Sequence, residues 1–409
     1  MRDHLIKTIF LKIMKDDFLK YQAQTSPTPL AIEIDRAKGS YIYDTHGKKY
    51  LDFIAGVSAN TLGHQHPEII KAIKKQVDTY LHVMVYGEFI QKPQVELTKY
   101  LASKLPENLQ CIYLTNSGTE ATEGALKLAK RVTGRHEIIS AKNAYHGNTQ
   151  GAMSVCGVEQ QNRPFRPLIP GIKFIQFNNH IEITKISTKT AAVILETIQG
   201  GAGFIEPREN YLQKIKLRCE EVGALLILDE IQSGIGRTGK FFGFENYNVI
   251  PDIIVAGKAL GGGMPIGAFI SSREHMNTLK QNPKLGHITT FGGHPVIAAA
   301  SLATLKELFK SDFPKDILNK EKLFRKLLVH KNIVEIRGKG LMLAIVLKNK
   351  ESVDQLILNA LNKGLLLFWL LFEPSAIRIT PPLNISMNEI EEGCNIIIDL
   401  LSQSDYQNC

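Results

Sequence analysis

The chain has 409 residues, 44% of them hydrophobic, which predicts a globular protein with a large core and, by length, two domains. Its Lys and Arg number 49 against 40 Asp and Glu, a net charge of +9, but they are scattered among acidic residues instead of clustering with aromatics, which argues against nucleic-acid binding. No apolar stretch reaches the roughly 20 residues of a membrane span, and five cysteines without C-x-x-C spacing argue for a reducing, cytoplasmic setting and against a disulfide framework or zinc site.

Residues 5–19 mix lysines with Ile6, Ile9, Phe10, Leu11 and Ile13, an amphipathic arm expected to pack on a partner subunit. From Gly39 to Phe53 apolar and polar residues alternate about His46-Gly47, as in a short antiparallel hairpin. After Pro67 the spacing of Ile69, Ile70, Ile73 and Val77 predicts a surface helix. From Cys111 onward strand and helix patterns alternate: strands at 111–114, 137–141, 191–196, 224–229 and 253–255, with helices through Lys130 and over 211–222. That alternation predicts an α/β fold with a mostly parallel sheet covered on both faces, and ligands beyond the carboxyl ends of its strands. After about Leu305 the pattern becomes helix, strand-like Gly340 to Leu347, helix, and a last helix from Met387 capped by Ser386 with Glu389. The expected division is an arm with part of a small domain (1–60), a large domain (61–309) and a C-terminal small α+β domain (310–409).

Three features fall at those strand ends. Lys258 closes the run Ile253-Ile254-Val255-Ala256-Gly257 and precedes a Gly-rich segment; one lysine among many is ordinarily a solvated surface residue, but this one stands where ligands bind. Asp229 ends a buried strand, where a carboxylate needs a partner or a cation. Ser117-Gly118-Thr119 opens a helix, where free N–H groups, the helix dipole and hydroxyls can hold a phosphate; taken alone, the turn reads first as a helix cap. Amine, carboxylate and anion site are together what pyridoxal 5'-phosphate requires: a carboxylate keeps its pyridine nitrogen protonated, so that the ring can stabilise a carbanion. Ile231 and Tyr145, beside His146, could cover the two ring faces, and Gln232 could bond the phenolic oxygen; for Tyr145 a plain core position is an equal reading.

Residues 116–121 (NSGTEA), 145–147 (YHG), 228–239 (LDEIQSGIGRTG), 256–263 (AGKALGGG) and 290–295 (TFGGHP) stand in the order and spacing of class III aminotransferases, and the chain resembles that family from about Gly39 to Glu391. The resemblance implies a fold type I enzyme using pyridoxal phosphate, with a small α+β domain built from both termini. It also implies that Lys258 carries the cofactor covalently, Asp229 meets the pyridine nitrogen and Gln232 the phenolic oxygen. Ser117, Gly118 and Thr119 would hold the phosphate, Tyr145 would stack on the ring, His146, Glu196 and Ile231 would lie beside it, and Thr290 would reach the phosphate of a neighbouring subunit in a homodimer with shared sites. Arg378 would bind a substrate carboxylate. The implied activity moves an amino group from an amino acid or ω-amino donor to a keto-acid acceptor by a ping-pong cycle. A racemase or aminomutase of the same fold begins with the same proton abstraction and is the alternative, and a non-enzymatic binding protein would have little reason to hold Lys258 and Asp229 together. Three departures bear on substrate choice. Asn148 stands where many ornithine and 4-aminobutyrate enzymes have arginine, Gly201 where they have a glutamate that masks the C-terminal arginine, and Val57 where the ornithine pattern has tyrosine.

Overall fold

The computed structural model describes residues 14–310 and 312–407. The expected arm therefore lies partly outside the described residues; within them, residues 14–21 are helical. Strands β1 (Ile34–Lys38), β2 (Tyr41–Asp44) and β3 (Lys49–Asp52) form an antiparallel meander. The hairpin about His46-Gly47 is present, its turn held by Asp44 Oδ1, which accepts from the N–H groups of His46 and Lys48, both at 2.9 Å.

The central sheet comprises β4 (Cys111–Thr115), β5 (Glu137–Ala141), β6 (Ile172–Ile175), β7 (Thr190–Glu196), β8 (Leu225–Asp229), β9 (Ile253–Gly257) and β10 (Gly267–Ser271), in the order β4-β10-β9-β8-β7-β5-β6. It is parallel from β9 to β6, and β10 runs antiparallel to both β9 and β4. Successive strand residues feed two separate cores. Val193, Leu226, Leu228 and Ile254 pack with Leu212, Ile215 and Cys219 of the helix Tyr211–Val222, whereas Ala192, Ile194, Ile227 and Val255 pack with Ala121, Ala125 and Leu128 of the helix Gly118–Thr133. Both faces are thus covered, which explains why these strands read as unbroken apolar runs.

The C-terminal unit has β11 (Ile333–Lys339), β12 (Met342–Leu347), β13 (Leu365–Leu366), β14 (Phe368–Trp369) and β15 (Ala376–Ile379), four of which form an antiparallel sheet in the order β11-β12-β15-β14. The remaining strand, β13, pairs in parallel with β3, with Leu365 opposite Leu51, so both ends of the chain build this unit, as expected. The last helix, Met387–Gln407, starts with the expected reciprocal cap: Ser386 N–H donates to Glu389 Oε2 and Glu389 N–H to Ser386 Oγ. Strands β1, β6, β10, β11, β13, β14 and β15 were not foreseen. The strand expected from Gly340 starts at Met342, because Gly340, at φ +62°, belongs to the turn after β11. Among the described residues no helix is long and apolar enough to cross a membrane.

Candidate active site

Parallel strands bring their carboxyl ends to one edge: β7 ends on Glu196, β8 on Asp229, and β9 runs into Lys258. Glu196 and Asp229 are register partners, so two carboxylates stand side by side. Beyond them opens a cavity of about 450 Å³.

The Asp229 carboxylate is buried and fixed on both oxygens. Its Oδ1 accepts the Ile231 N–H at 3.0 Å and its Oδ2 shares a hydrogen bond with His146 Nδ1 at 2.7 Å. His146 is itself buried, and its Nε2 has no partner. Glu196 accepts from the N–H groups of Gly200 (2.9 Å) and Tyr145 (3.2 Å); burial, helped by the charge of Asp229, pushes its carboxyl up to about 7, with His146 opposing. The Lys258 backbone is left-handed at φ +42°. Burial lowers its amine to about 8; Asp229 and Glu196 act against the shift and Arg378 adds to it.

The helix Gly118–Thr133 presents its first turn to the same cavity, through Gly118 and Thr119. A Cβ on Gly118 would lie 2.6 Å from Ile231 Cδ1, so glycine lets the helix start come this close without displacing the Ile231 side chain. Ser117 does not line the cavity. Its Oγ accepts the Glu120 N–H at 3.3 Å, the helix-cap reading of that residue. Thr119 Oγ1 shares a hydrogen bond with Thr149 Oγ1 at 2.9 Å. Gln232 and half-buried Tyr145 are in the lining, and Gln232 Nε2 donates to Ser58 Oγ at 3.3 Å. Arg378, on β15, is buried; its Nε donates to the Trp369 carbonyl at 3.2 Å, its Nη1 has no partner, and burial lowers it to about 10. Thr290 lies apart, exposed on the loop after β10 and outside the lining. Sequence reasoning missed Ile198, Phe368 and Leu371, which line the cavity, and Ser58, which bonds Gln232; for Phe368 the signal was pairing of β14 with Arg378's strand, which an apolar run does not reveal.

These residues fit pyridoxal phosphate: a lysine amine with a lowered pKa, an anchored carboxylate and a glycine-opened helix start border one cavity. Among the described residues no group of His, Cys, Asp and Glu is placed to hold a metal ion.

The family model "Aminotransferase class-III" matches residues 21–401. An acetylornithine aminotransferase of Caldanaerobacter subterraneus subsp. tengcongensis is 38% identical, covering 91% of this chain and 95% of its own. A putrescine aminotransferase of Pectobacterium atrosepticum is 37% identical over 94% of this chain and 86% of its own. Among solved structures, the ornithine aminotransferase of Toxoplasma gondii superimposes with a TM-score of 0.89 at 27% identity, over 97% of this chain and 96% of that one. The fold, the strand-end constellation and these likenesses converge: the chain belongs to the class III aminotransferases, enzymes that depend on pyridoxal 5'-phosphate.

Proposed function

We propose that this transaminase takes an amino group from an amino acid or ω-amino donor and passes it to a keto acid in a ping-pong cycle, with Lys258 as proton carrier and Arg378 as carboxylate anchor. The observation that carries the reading is the convergence of Lys258, Asp229 and the Gly118 helix start on one cavity. When bound, pyridoxal phosphate supplies a ring that withdraws electrons from the substrate's amine-bearing carbon.

The chain's residues supply the rest. The first turn at Gly118 and Thr119 offers N–H groups and a hydroxyl to the phosphate. Asp229, held by His146 and the Ile231 N–H, keeps a proton on the ring nitrogen, and Gln232 reaches the phenolic oxygen. Tyr145 and Ile231 cover the ring faces, with Glu196 beside them. The Lys258 Nζ, neutral above about pH 8, takes the proton from the amine-bearing carbon of the substrate. Arg378 Nη1 receives a carboxylate in a charge-assisted bond.

The active form is a homodimer in which Thr290 of one subunit reaches the phosphate held in the other. Exposed Leu81, Phe89, Ile90, Ile288 and Phe291 give a second copy apolar surface to cover. The domain division stands near residues 60 and 309, and four free described cysteines favour a reducing cytoplasm.

Borohydride reduction of the holoenzyme followed by peptide mapping should place the cofactor on Lys258, and a donor alone should yield one oxo product per site. Inversion of the donor without oxo product would instead indicate a racemase, and label on another lysine would overturn the assignment.

A further inference from the structure

Resting on that reading, the structure carries a statement about which substrates the cavity admits. Arg378 and Phe368 are register partners on β15 and β14, so the carboxylate anchor and an aromatic side chain border the cavity together. The chain then turns through Leu370, Leu371, Phe372 and Glu373. This strap is clasped at two points. Phe372 N–H donates to the Gly201 carbonyl at 2.9 Å, and the Glu373 carboxylate accepts from Arg337 Nη1 at 3.2 Å and Ser375 Oγ at 2.6 Å. The Phe372 ring lies against Gly201 itself: a Cβ there would fall 2.8 Å from Phe372 Cδ2 and 2.9 Å from Cε2. Glycine at 201 is therefore what lets the ring close, and no side chain from that position reaches into the cavity. Across the opening, the Tyr145 and Phe372 ring centroids stand 6.5 Å apart.

The polar inventory is equally one-sided. Among the described residues, the lysine and arginine that border the cavity are Lys258 and Arg378; Asn148 is neutral, and Val57, Ile198, Gly201, Phe368 and Leu371 give the lining its apolar part. Arg378 Nη1 is buried without a partner. One carboxylate can be neutralised here, while a second would lose its hydration against Phe368, Leu371 and Ile198, where no further cation stands among the described lining residues. A distal ammonium laid against the same residues loses its hydration likewise, and the two lining carboxylates, Asp229 and Glu196, are already engaged by His146 and by backbone N–H groups.

We infer that Gly201 and Phe372 together determine specificity, and that the preferred substrates are monocarboxylic amino acids and oxo acids with an uncharged apolar chain, in preference to dicarboxylates and diamines. Each methylene laid against the wall contributes about fourfold in affinity.

The test uses the holoenzyme with 2-aminohexanoate, alanine, glutamate and 1,4-diaminobutane as donors. 2-Aminohexanoate should exceed both glutamate and the diamine at least tenfold in kcat/KM. Binding is read independently through Trp369, the single tryptophan, whose carbonyl bonds Arg378: hexanoate should perturb its fluorescence at concentrations at least tenfold below glutarate. Phe372→Ala should weaken 2-aminohexanoate at least tenfold relative to alanine, with the gap in KM, and Phe372→Arg should raise glutamate use relative to 2-aminohexanoate. Glutamate or diamine use equal to 2-aminohexanoate in the unaltered protein, or a Phe372→Ala loss equal for all donors, overturns the inference. Absence of oxo product from every donor would sink the proposed activity instead, and hexanoate binding at Trp369 would still decide whether the wall selects apolar monocarboxylates.

Discussion

At the strand ends Asp229, His146 and Glu196 are each less than one-tenth exposed, and the two carboxylates are fixed by partners from this chain. The loop carrying Thr290 is the opposite: residues 281–286 are all exposed, Thr290 and Phe291 are exposed too, and none of them borders the cavity. The floor is finished by the chain alone, since an unpaired carboxylate buried there would cost more than the fold can tolerate. The loop pays no such penalty as long as it stays in water, so nothing within one subunit compels it to be finished. In the proposed dimer, chemistry and assembly would consequently be written in different places, one in the core and one on the surface.

That contrast breaks first at Asp229. Asp229→Asn keeps the size of the side chain but removes the charge, and should lower kcat about 10²–10³-fold, by analogy with removal of one preorganised electrostatic group. Steady-state rates measured at matched cofactor occupancy check this, and a loss below tenfold would mean that the floor serves only packing. Thr290→Ala should do far less. One hydroxyl contributes about 0.5–1.5 kcal/mol, so cofactor affinity should weaken about two- to tenfold while kcat at saturation holds. Equilibrium titration together with sedimentation velocity would show it, and an unchanged affinity in a proven dimer would remove Thr290 from the phosphate site.

The smallest effect concerns pH. Burial raises the Glu196 carboxyl to about 7, so the folded state keeps a proton that the unfolded state has already released above the ordinary carboxylate range. This contribution to stability is complete at lower pH and is lost as pH rises to about 7. Glu196→Gln should flatten that part of the decline, by about 2 °C in melting temperature between pH 5 and 7. Calorimetry of the cofactor-free protein reads it, and parallel pH profiles for both proteins would contradict it.

Much of this was legible before any coordinates. The strands ending at Glu196, Asp229 and Gly257 were visible because burial on both faces demands continuous apolar runs, and the lysine and carboxylates break those runs where the cavity begins. Strand β10, Gly-Ala-Phe-Ile-Ser, was hidden because it follows a Gly-rich turn and is short, and β6 because Ile-Lys-Phe-Ile looks like many loop segments. For Ser117 the turn alone reads first as a helix cap and only the other motifs raise it to an anion ligand; the Glu120 N–H shows its hydroxyl capping. The contact between Phe372 and Gly201 joins residues far apart in the chain, and no periodicity records a ring resting on a backbone.

The parallel pairing of β13 with β3 also has a consequence for how the protein is made. Leu51 pairs with Tyr41 inside the hairpin but meets its partner on the other side only at Leu365, and the Phe53 carbonyl accepts from the Thr380 N–H. On a ribosome adding 5–20 residues per second, the first hairpin waits roughly 15–60 s for that partner to be synthesised. The central sheet, whose strands all lie between Cys111 and Ser271, can close during the interval. Birth order and completion order therefore differ: the segment made early is finished late, and during the wait its unpaired edge is the part of the nascent chain that most needs protection from other chains.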